Sequence, residues 1–148
     1  MKDKYESIRL RNQLCFPLYA VSNMITRKYK PLLDELDLTY TQYIVMMVMW
    51  EKKTLNVKEL GAKLYLDSGT LTPVLKSLES KGYVYRHRSL KDERVLLVDV
   101  TEEGQRLRDK AVRVPEKVSK FLGLTSEEAV TLYRLLYKLL DSDEDSAE

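Results

Sequence analysis

Cysteine and histidine each occur once in the 148 residues, glycine five times and proline four. One cysteine, Cys15, excludes an intrachain disulfide framework. One cysteine and one histidine are too few ligands for a His/Cys zinc site within one chain, so no metal is expected. The five glycines are scattered and form no phosphate-cradling loop. His87 lies in a basic segment with no Ser-His-Asp setting, so neither a cofactor nor an enzymatic activity is expected. The longest apolar run, Ile44 to Trp50, is far too short to span a bilayer, and no membrane partner is expected. Met1-Lys2-Asp3-Lys4-Tyr5-Glu6 is followed by no apolar segment, which predicts no signal peptide and a cytoplasmic location.

The composition, 44% hydrophobic and 32% charged, is that of a globular domain. The length suits one domain with its own core. The net charge of +2 hides an asymmetry. Residues 141–148 carry five acids and no base, leaving residues 1–140 with 25 bases against 18 acids, a net of +7. The body is modestly basic, which permits a polyanionic partner. The acidic segment 141–148 reads as a flexible, solvated tail.

Helical periodicity dominates. Leu14, Leu18, Val21 and Ile25, continued by Tyr29, Leu32, Leu33 and Leu36, form the stripe of a long amphipathic helix. Pro17 lies inside that stripe and predicts a kink or a restart. Thr39 or Thr41 can cap a second helix through Ile44–Trp50, apolar nearly all round and so central. Asn56, with Glu59 three residues on, can cap a short third helix. A fourth starts at Asp67 or Ser68, or alternatively at Thr72-Pro73. Two β-like segments, 84–88 and 95–100, enclose the charged Ser89–Arg94 as a hairpin. Thr101-Glu102-Glu103 opens a fifth helix with Pro115 late in it, and Thr125 to Glu128 caps a sixth. The predicted order is four helices, a hairpin and two helices.

Two short helices about a tight turn, followed by a two-stranded hairpin, make a winged helix-turn-helix. The fold class is therefore mainly α with a small β-hairpin wing. The second helix of such a pair fits the major groove, where base edges carry a distinct donor and acceptor code. Ser68, Thr70, Thr72, Lys76 and Ser77 would supply hydroxyls and a cation there. The wing carries Arg86, His87, Arg88, Lys91 and Arg94 against Asp92 and Glu93. A cationic loop of this kind can reach a narrow minor groove. The bland alternative is a solvated helix pair with a charged hairpin.

The residues favour the first reading. Leu64-Tyr65-Leu66-Asp67-Ser68-Gly69-Thr70-Leu71-Thr72-Pro73-Val74-Leu75-Lys76-Ser77-Leu78-Glu79, with Asp92-Glu93-Arg94, resembles the MarR family of bacterial repressors. Asn12-Gln13-Leu14-Cys15-Phe16, Tyr29-Lys30-Pro31-Leu32-Leu33-Asp34 and Leu38-Thr39-Tyr40 are similar to its one-cysteine, organic-hydroperoxide-sensing branch. The resemblance covers most of residues 10–115 and weakens in the last helix. It implies that Cys15 is the reactive thiol and that Tyr29 and Tyr40 hydrogen-bond it and respond to its oxidation. It places Asp67, Ser68, Gly69, Thr70, Thr72 and Lys76 on the recognition helix, makes Arg94 the minor-groove arginine and has Asp92 position it. It implies a homodimer and, with it, a near-palindromic double-stranded operator. It assigns the winged helix-turn-helix to about 41–100 and dimerisation helices to about 7–36 and 101–140, within one domain of residues 1–140. It also favours starting the fourth helix at Asp67. Pro17 departs from the aliphatic residue usual in that branch.

Taken alone, a lone cysteine on an apolar helix is a small core hydrophobe. Reactivity requires the thiolate. Fourteen residues separate Cys15 from Tyr29, about four helical turns, so the two cannot touch within one straight helix. A restart at Pro17 would leave Cys15 just before a helix N-terminus, favouring its thiolate. With no second thiol in the chain, oxidised Cys15 can end as a mixed disulfide with a small cellular thiol, a sulfenamide or an over-oxidised acid. The expected function is a regulator, in repressor mode, released from its operator when organic hydroperoxide oxidises Cys15. Three alternatives stand beside it: a regulator answering a phenolic or drug-like ligand, a broader oxidation-sensing global regulator, and a thiol peroxidase.

Overall fold

The computed structural model describes residues 3–145 of the chain, with side chains to residue 143. By packing, the chain divides into two compact units, Met1–Val114 and Pro115–Glu148.

The first unit opens with two 3-10 turns, Glu6–Ile8 and Leu10–Asn12, ahead of α1 (Cys15–Asp34). Pro17 neither kinks nor restarts that helix. It is the third helical residue, where a backbone N–H has no partner in any case. The carbonyl its ring would crowd, that of Gln13, belongs to extended backbone outside the helix. Cys15 is thus the first residue of α1, not the residue before a restarted one. Pro31, near the far end, is the proline that interrupts the hydrogen-bond ladder of α1.

A tight turn with Asp37 at φ 53° delivers the chain to α2 (Tyr40–Lys52). Thr39 caps it in a full capping box: its hydroxyl accepts from Gln42 N–H and Gln42 Oε1 accepts from Thr39 N–H. Tyr43, Val45, Met46, Met49 and Trp50 are all buried, so α2 is the central helix the apolar run predicts.

β1 (Thr54–Asn56), which local sequence pattern passes over, pairs antiparallel with β3 (Leu96–Val100), and β3 pairs with β2 (Val84–Arg88). The sheet order is β1-β3-β2. Between strands lie α3 (Val57–Leu64), capped by Asn56, and α4 (Ser68–Ser80), capped by Asp67. The start at Asp67 holds, and Pro73 lies inside α4. Leu66 N–H reaches back to Gly61 O across a left-handed Tyr65, which closes the turn between the two helices. A Cβ on Gly61 would lie 2.8 Å from Leu66 O, so this turn needs glycine there.

α5 (Glu102–Ala111) is capped by Thr101. It stops before Pro115 instead of running through it, and α6 (Val114–Leu122) is a separate helix with Pro115 second. The proline has no N–H to bond Ala111 O, so one helix becomes two. The second unit ends in α7 (Ser126–Asp145), where Thr125 and Glu128 cap each other reciprocally. Residues 141–145 of the acidic segment are helical, not a loose tail, and residues 146–148 lie outside the described part.

Trp50 Nε1–H donates to Gly104 O at 2.8 Å, tying α2 to α5. A Cβ on Gly104 would lie 2.2 Å from Tyr83 O, so backbone meets backbone there. In an open helix Gly→Ala stabilises by up to about 1 kcal/mol. Here Gly104→Ala is expected to destabilise the chain by about 1–3 kcal/mol or more, as overpacking does, in urea unfolding followed by circular dichroism. Equal or greater stability would show that this contact yields freely.

Candidate nucleic-acid interface and thiol site

The candidate interface is built on α4 and the β2–β3 hairpin. Asp67 Oδ1 accepts from Thr70 N–H at 2.7 Å, and this bond holds the Asp67 carboxyl below its ordinary pKa. The cap fixes the first turn of α4 with Ser68, Gly69 and Thr70 exposed, and Lys76 is exposed further along. Thr72 is half-buried. Ser77, offered above as a groove hydroxyl, accepts a hydrogen bond from Gln42 of α2 instead.

At the hairpin tip, Asp92 grips Arg94 twice. Oδ1 accepts from Arg94 Nε at 3.0 Å and Oδ2 from Nη2 at 3.1 Å, and Oδ1 also takes the Arg94 backbone N–H. The carboxylate is fixed from both ends, while the Arg94 side chain stays 89% exposed. The resemblance implies that Asp92 positions Arg94 for DNA, and these bonds are the contact between the two. Arg88 and Lys91 are exposed beside it.

Arg86 is placed otherwise. It shares a strand face with buried Val84, and strand alternation turns it inward. Its backbone N–H bonds Glu79 Oε1 at 2.9 Å and its guanidinium bonds Glu79 Oε2 at 3.0 Å. Arg86 therefore ties the wing to α4, and the expectation that it serves the DNA face is not met by its geometry. Arg86 lowers the Glu79 pKa through these hydrogen bonds. His87 bonds Asp99 Oδ2 at 2.5 Å, stacks on Tyr85, and is likewise a strut of the sheet.

The thiol site is in two places. Cys15, at the start of α1, is exposed. Tyr29, near its other end, belongs to a ring cluster: its centroid is 5.0 Å from Tyr40 edge-on and 6.0 Å from Tyr43. A helix rises about 1.5 Å per residue, so fourteen residues put roughly 21 Å between the thiol and these rings. The structure thus gathers Tyr29 with Tyr40 and does not gather either with Cys15 of the same chain. Burial, then the neighbouring Tyr40 and Tyr43, push the Tyr29 pKa up to about 12. Burial raises Tyr40 and Tyr43 as well. All three phenols stay protonated at neutral pH and can donate to an anion. Tyr43 is the member that sequence reasoning missed, although its i, i+3 relation to Tyr40 puts both on one helix face.

A shallow groove of about 480 Å³ lies between α3, the start of α4 and the hairpin. Val57, Leu66, Leu71 and Leu96 line it, with Lys58 and Arg94. Among the described residues no group of three or more His, Cys, Asp or Glu could hold a metal, and no helix is long and apolar enough to cross a membrane.

The Asp92–Arg94 grip makes a direct prediction. The Arg94 hydrogen bonds lower the Asp92 pKa, so the grip is intact above 3.8 and lost as pH falls through the depressed value. In a carboxyl NMR titration Asp92 should titrate below 3.8 and return towards it in Arg94→Ala. Titration at the same pH in both proteins would show that the grip does not form in solution.

Residues 27–111 match the family model described as "Transcriptional regulator SarA/Rot". The organic hydroperoxide resistance transcriptional regulator of Bacillus subtilis is 46% identical over 142 residues, 96% of this chain and 97% of that one. Reduced AbfR bound to DNA superposes with a TM-score of 0.80 at 34% identity, covering 99% of this chain and all of that one. A disulfide form of AbfR, a Staphylococcus epidermidis protein, superposes at 0.64 and 36%, covering 93% and 96%. With its three-stranded wing sheet, its Asp67-capped α4 and its single cysteine, the chain belongs to the MarR family of transcriptional regulators, in the one-cysteine branch that senses organic hydroperoxides.

Proposed function

We propose that this chain is a homodimeric transcriptional repressor that leaves a near-palindromic operator when organic hydroperoxide oxidises Cys15. One observation carries most of the reading. Arg94 is presented almost wholly to solvent at the wing tip and is held there by Asp92, beside an exposed first turn of α4. Such an arrangement aims a cation without letting it wander, which suits a narrow minor groove flanking the major groove that α4 enters. Ser68, Gly69, Thr70, Thr72 and Lys76 supply the groove face of α4, and Arg88 and Lys91 the phosphate contacts. The winged helix-turn-helix spans about 41–100.

The dimer is supported by unpartnered apolar faces. Leu14, Phe16, Leu18, Tyr19 and Val21 are exposed on and just ahead of α1, and Val130, Leu132, Tyr133, Leu135 and Leu139 on α7. Exposed apolar side chains gathered on one helix, as on each of these, mark an association site. A two-fold dimer also offers the route by which Cys15 of one chain approaches the Tyr29–Tyr40–Tyr43 cluster of another, which one straight helix forbids.

The chemistry balances with groups named here. The Cys15 thiolate attacks the outer peroxide oxygen, the O–O bond breaks, and the alkoxide leaves as alcohol on taking a proton. Sulfur is oxidised by two electrons to sulfenic acid and the hydroperoxide is reduced to alcohol. A small cellular thiol then displaces hydroxide, released as water, to give a mixed disulfide. The chain holds one cysteine, so any disulfide takes its second sulfur from outside the chain. A hundredfold loss of operator affinity needs about 2.8 kcal/mol between the two arrangements. A bulky adduct in packed surroundings costs that order.

A second reading is non-covalent control by a phenolic or drug-like ligand. It draws on the groove of α3, α4 and hairpin, with its apolar lining and two cations.

Gel shifts on the DNA upstream of the chain's own gene test both. Wild type should be released by cumene hydroperoxide plus cysteine and recovered by reductant, while Cys15→Ser binds throughout. Release of both proteins would move the signal away from the thiol. Arg94→Ala should weaken operator binding about tenfold or more, and Lys91→Ala should flatten its salt dependence. Unchanged affinity in Arg94→Ala would remove the wing from the interface.

A further inference from the structure

Among the described residues, Gln42 is the buried polar side chain. Three hydrogen bonds hold its amide. Oε1 accepts from Thr39 N–H at 3.1 Å and from Lys81 Nζ at 3.1 Å, and Nε2 donates to Ser77 Oγ at 2.9 Å. Lys81 also donates to Asp37 O, in the turn that leads from α1 into α2. Reversing the amide would set its NH2 against an N–H and an ammonium, so its orientation is fixed by its neighbours. A capping box needs none of this. An exposed glutamine or glutamate satisfies Thr39 equally well. Burial of the amide against Ser77 and Lys81 is additional, and it joins the first turn of α2 to the last turns of α4.

That first turn also carries Tyr40 and Tyr43, the two rings around Tyr29. Phenols that respond to the sulfur and an amide that holds the recognition helix thus share one helical turn. An α-helical turn moves as a unit. A displacement of Tyr40 and Tyr43 by about an ångström carries Gln42 with it, and hydrogen bonds weaken steeply over that distance. The amide then loses Ser77 and Lys81 while still buried, an outcome packed interiors resolve by switching arrangement.

We propose that Gln42 is a positioning residue for redox response: it holds α4 in its DNA-binding orientation in the reduced protein and releases α4 when the tyrosine cluster shifts. The inference rests on the proposed function and adds to it the path from sensor to recognition helix. Gln42 touches neither DNA nor the peroxide.

The test is a thermodynamic cycle on the full chain. Operator affinity is measured by fluorescence anisotropy on the DNA upstream of its own gene, before and after treatment with cumene hydroperoxide plus cysteine. Wild type should lose about a hundredfold on oxidation. In Gln42→Leu the reduced form should already bind weakly while the oxidised form is unchanged, so the oxidised-to-reduced ratio falls below about fivefold. Gln42→Glu restores the ratio, because its carboxylate accepts from Thr39 N–H, Lys81 and the Ser77 hydroxyl. If Gln42 only supports folding, both redox forms of Gln42→Leu weaken equally and the ratio stays at about a hundredfold, which overturns the proposal. Should Gln42→Leu lack a cooperative melt, Lys81→Met carries the same test from the C-terminal cap of α4, with a reduced ratio expected and a wild-type ratio overturning it. Wild type that binds operator but ignores hydroperoxide removes the redox reading itself, and this proposal with it. With wild type released normally, the ratio in Gln42→Leu reports on Gln42 alone.

Discussion

Everything in the first unit is arranged around the burial of α2. A helix apolar on nearly every side has little solvent face to give away, so its neighbours cover most of it and leave Met47 exposed. α1, α3, α4, α5 and the sheet all pack against it. Two polar groups interrupt that apolar surface, one near each end. The Trp50 indole bonds Gly104 O of α5, and the Gln42 amide bonds Ser77 of α4 and Lys81 just past its end. Unsatisfied buried groups are costly, so these bonds register α2 against its neighbours more sharply than apolar contact can.

A similar division of labour shapes the nucleic-acid face. Of the arginines on the hairpin, Arg86 is bonded to Glu79 and braces the wing, while Arg88, at the end of the same strand face, and Arg94 are exposed. Arg86 with Glu79 sets the angle between wing and α4, and Asp92 sets the aim of Arg94. Both arginines are thus paired with a carboxylate, one pair half-buried as a brace and the other exposed at the wing tip. The tyrosine cluster follows a related logic. Burial raises the pKa of three phenols that are already neutral at physiological pH, so on the proposed function they answer a change of charge at sulfur without carrying charge themselves.

Much of this was legible in the sequence. Strong helical periods, caps at Thr39, Asn56, Asp67, Thr101 and Thr125, and a charged break between two β-like runs define the winged helix-turn-helix. What escaped follows from the limits of local pattern. β1 is three residues long, and only its pairing with β3 makes it a strand. Pro17 looked disruptive because its distance from the helix start was unknown; one turn further in, it would have been. Pro115 divided a helix that periodicity would have run on. Arg86 looked like its neighbours until strand alternation turned it towards Glu79. Gln42 sat in a visible T-x-x-Q capping signature, but its second role needs α4, thirty-five residues away.

On the proposed path, oxidation of one exposed thiol reaches α4 through the first turn of α2. Amide hydrogen exchange of the reduced and hydroperoxide-treated full chain tests it most directly. Protection should fall together in the first turn of α2 and at Ser77–Lys81, and should not change in Cys15→Ser. A change confined to α1, or the same change in Cys15→Ser, would contradict it.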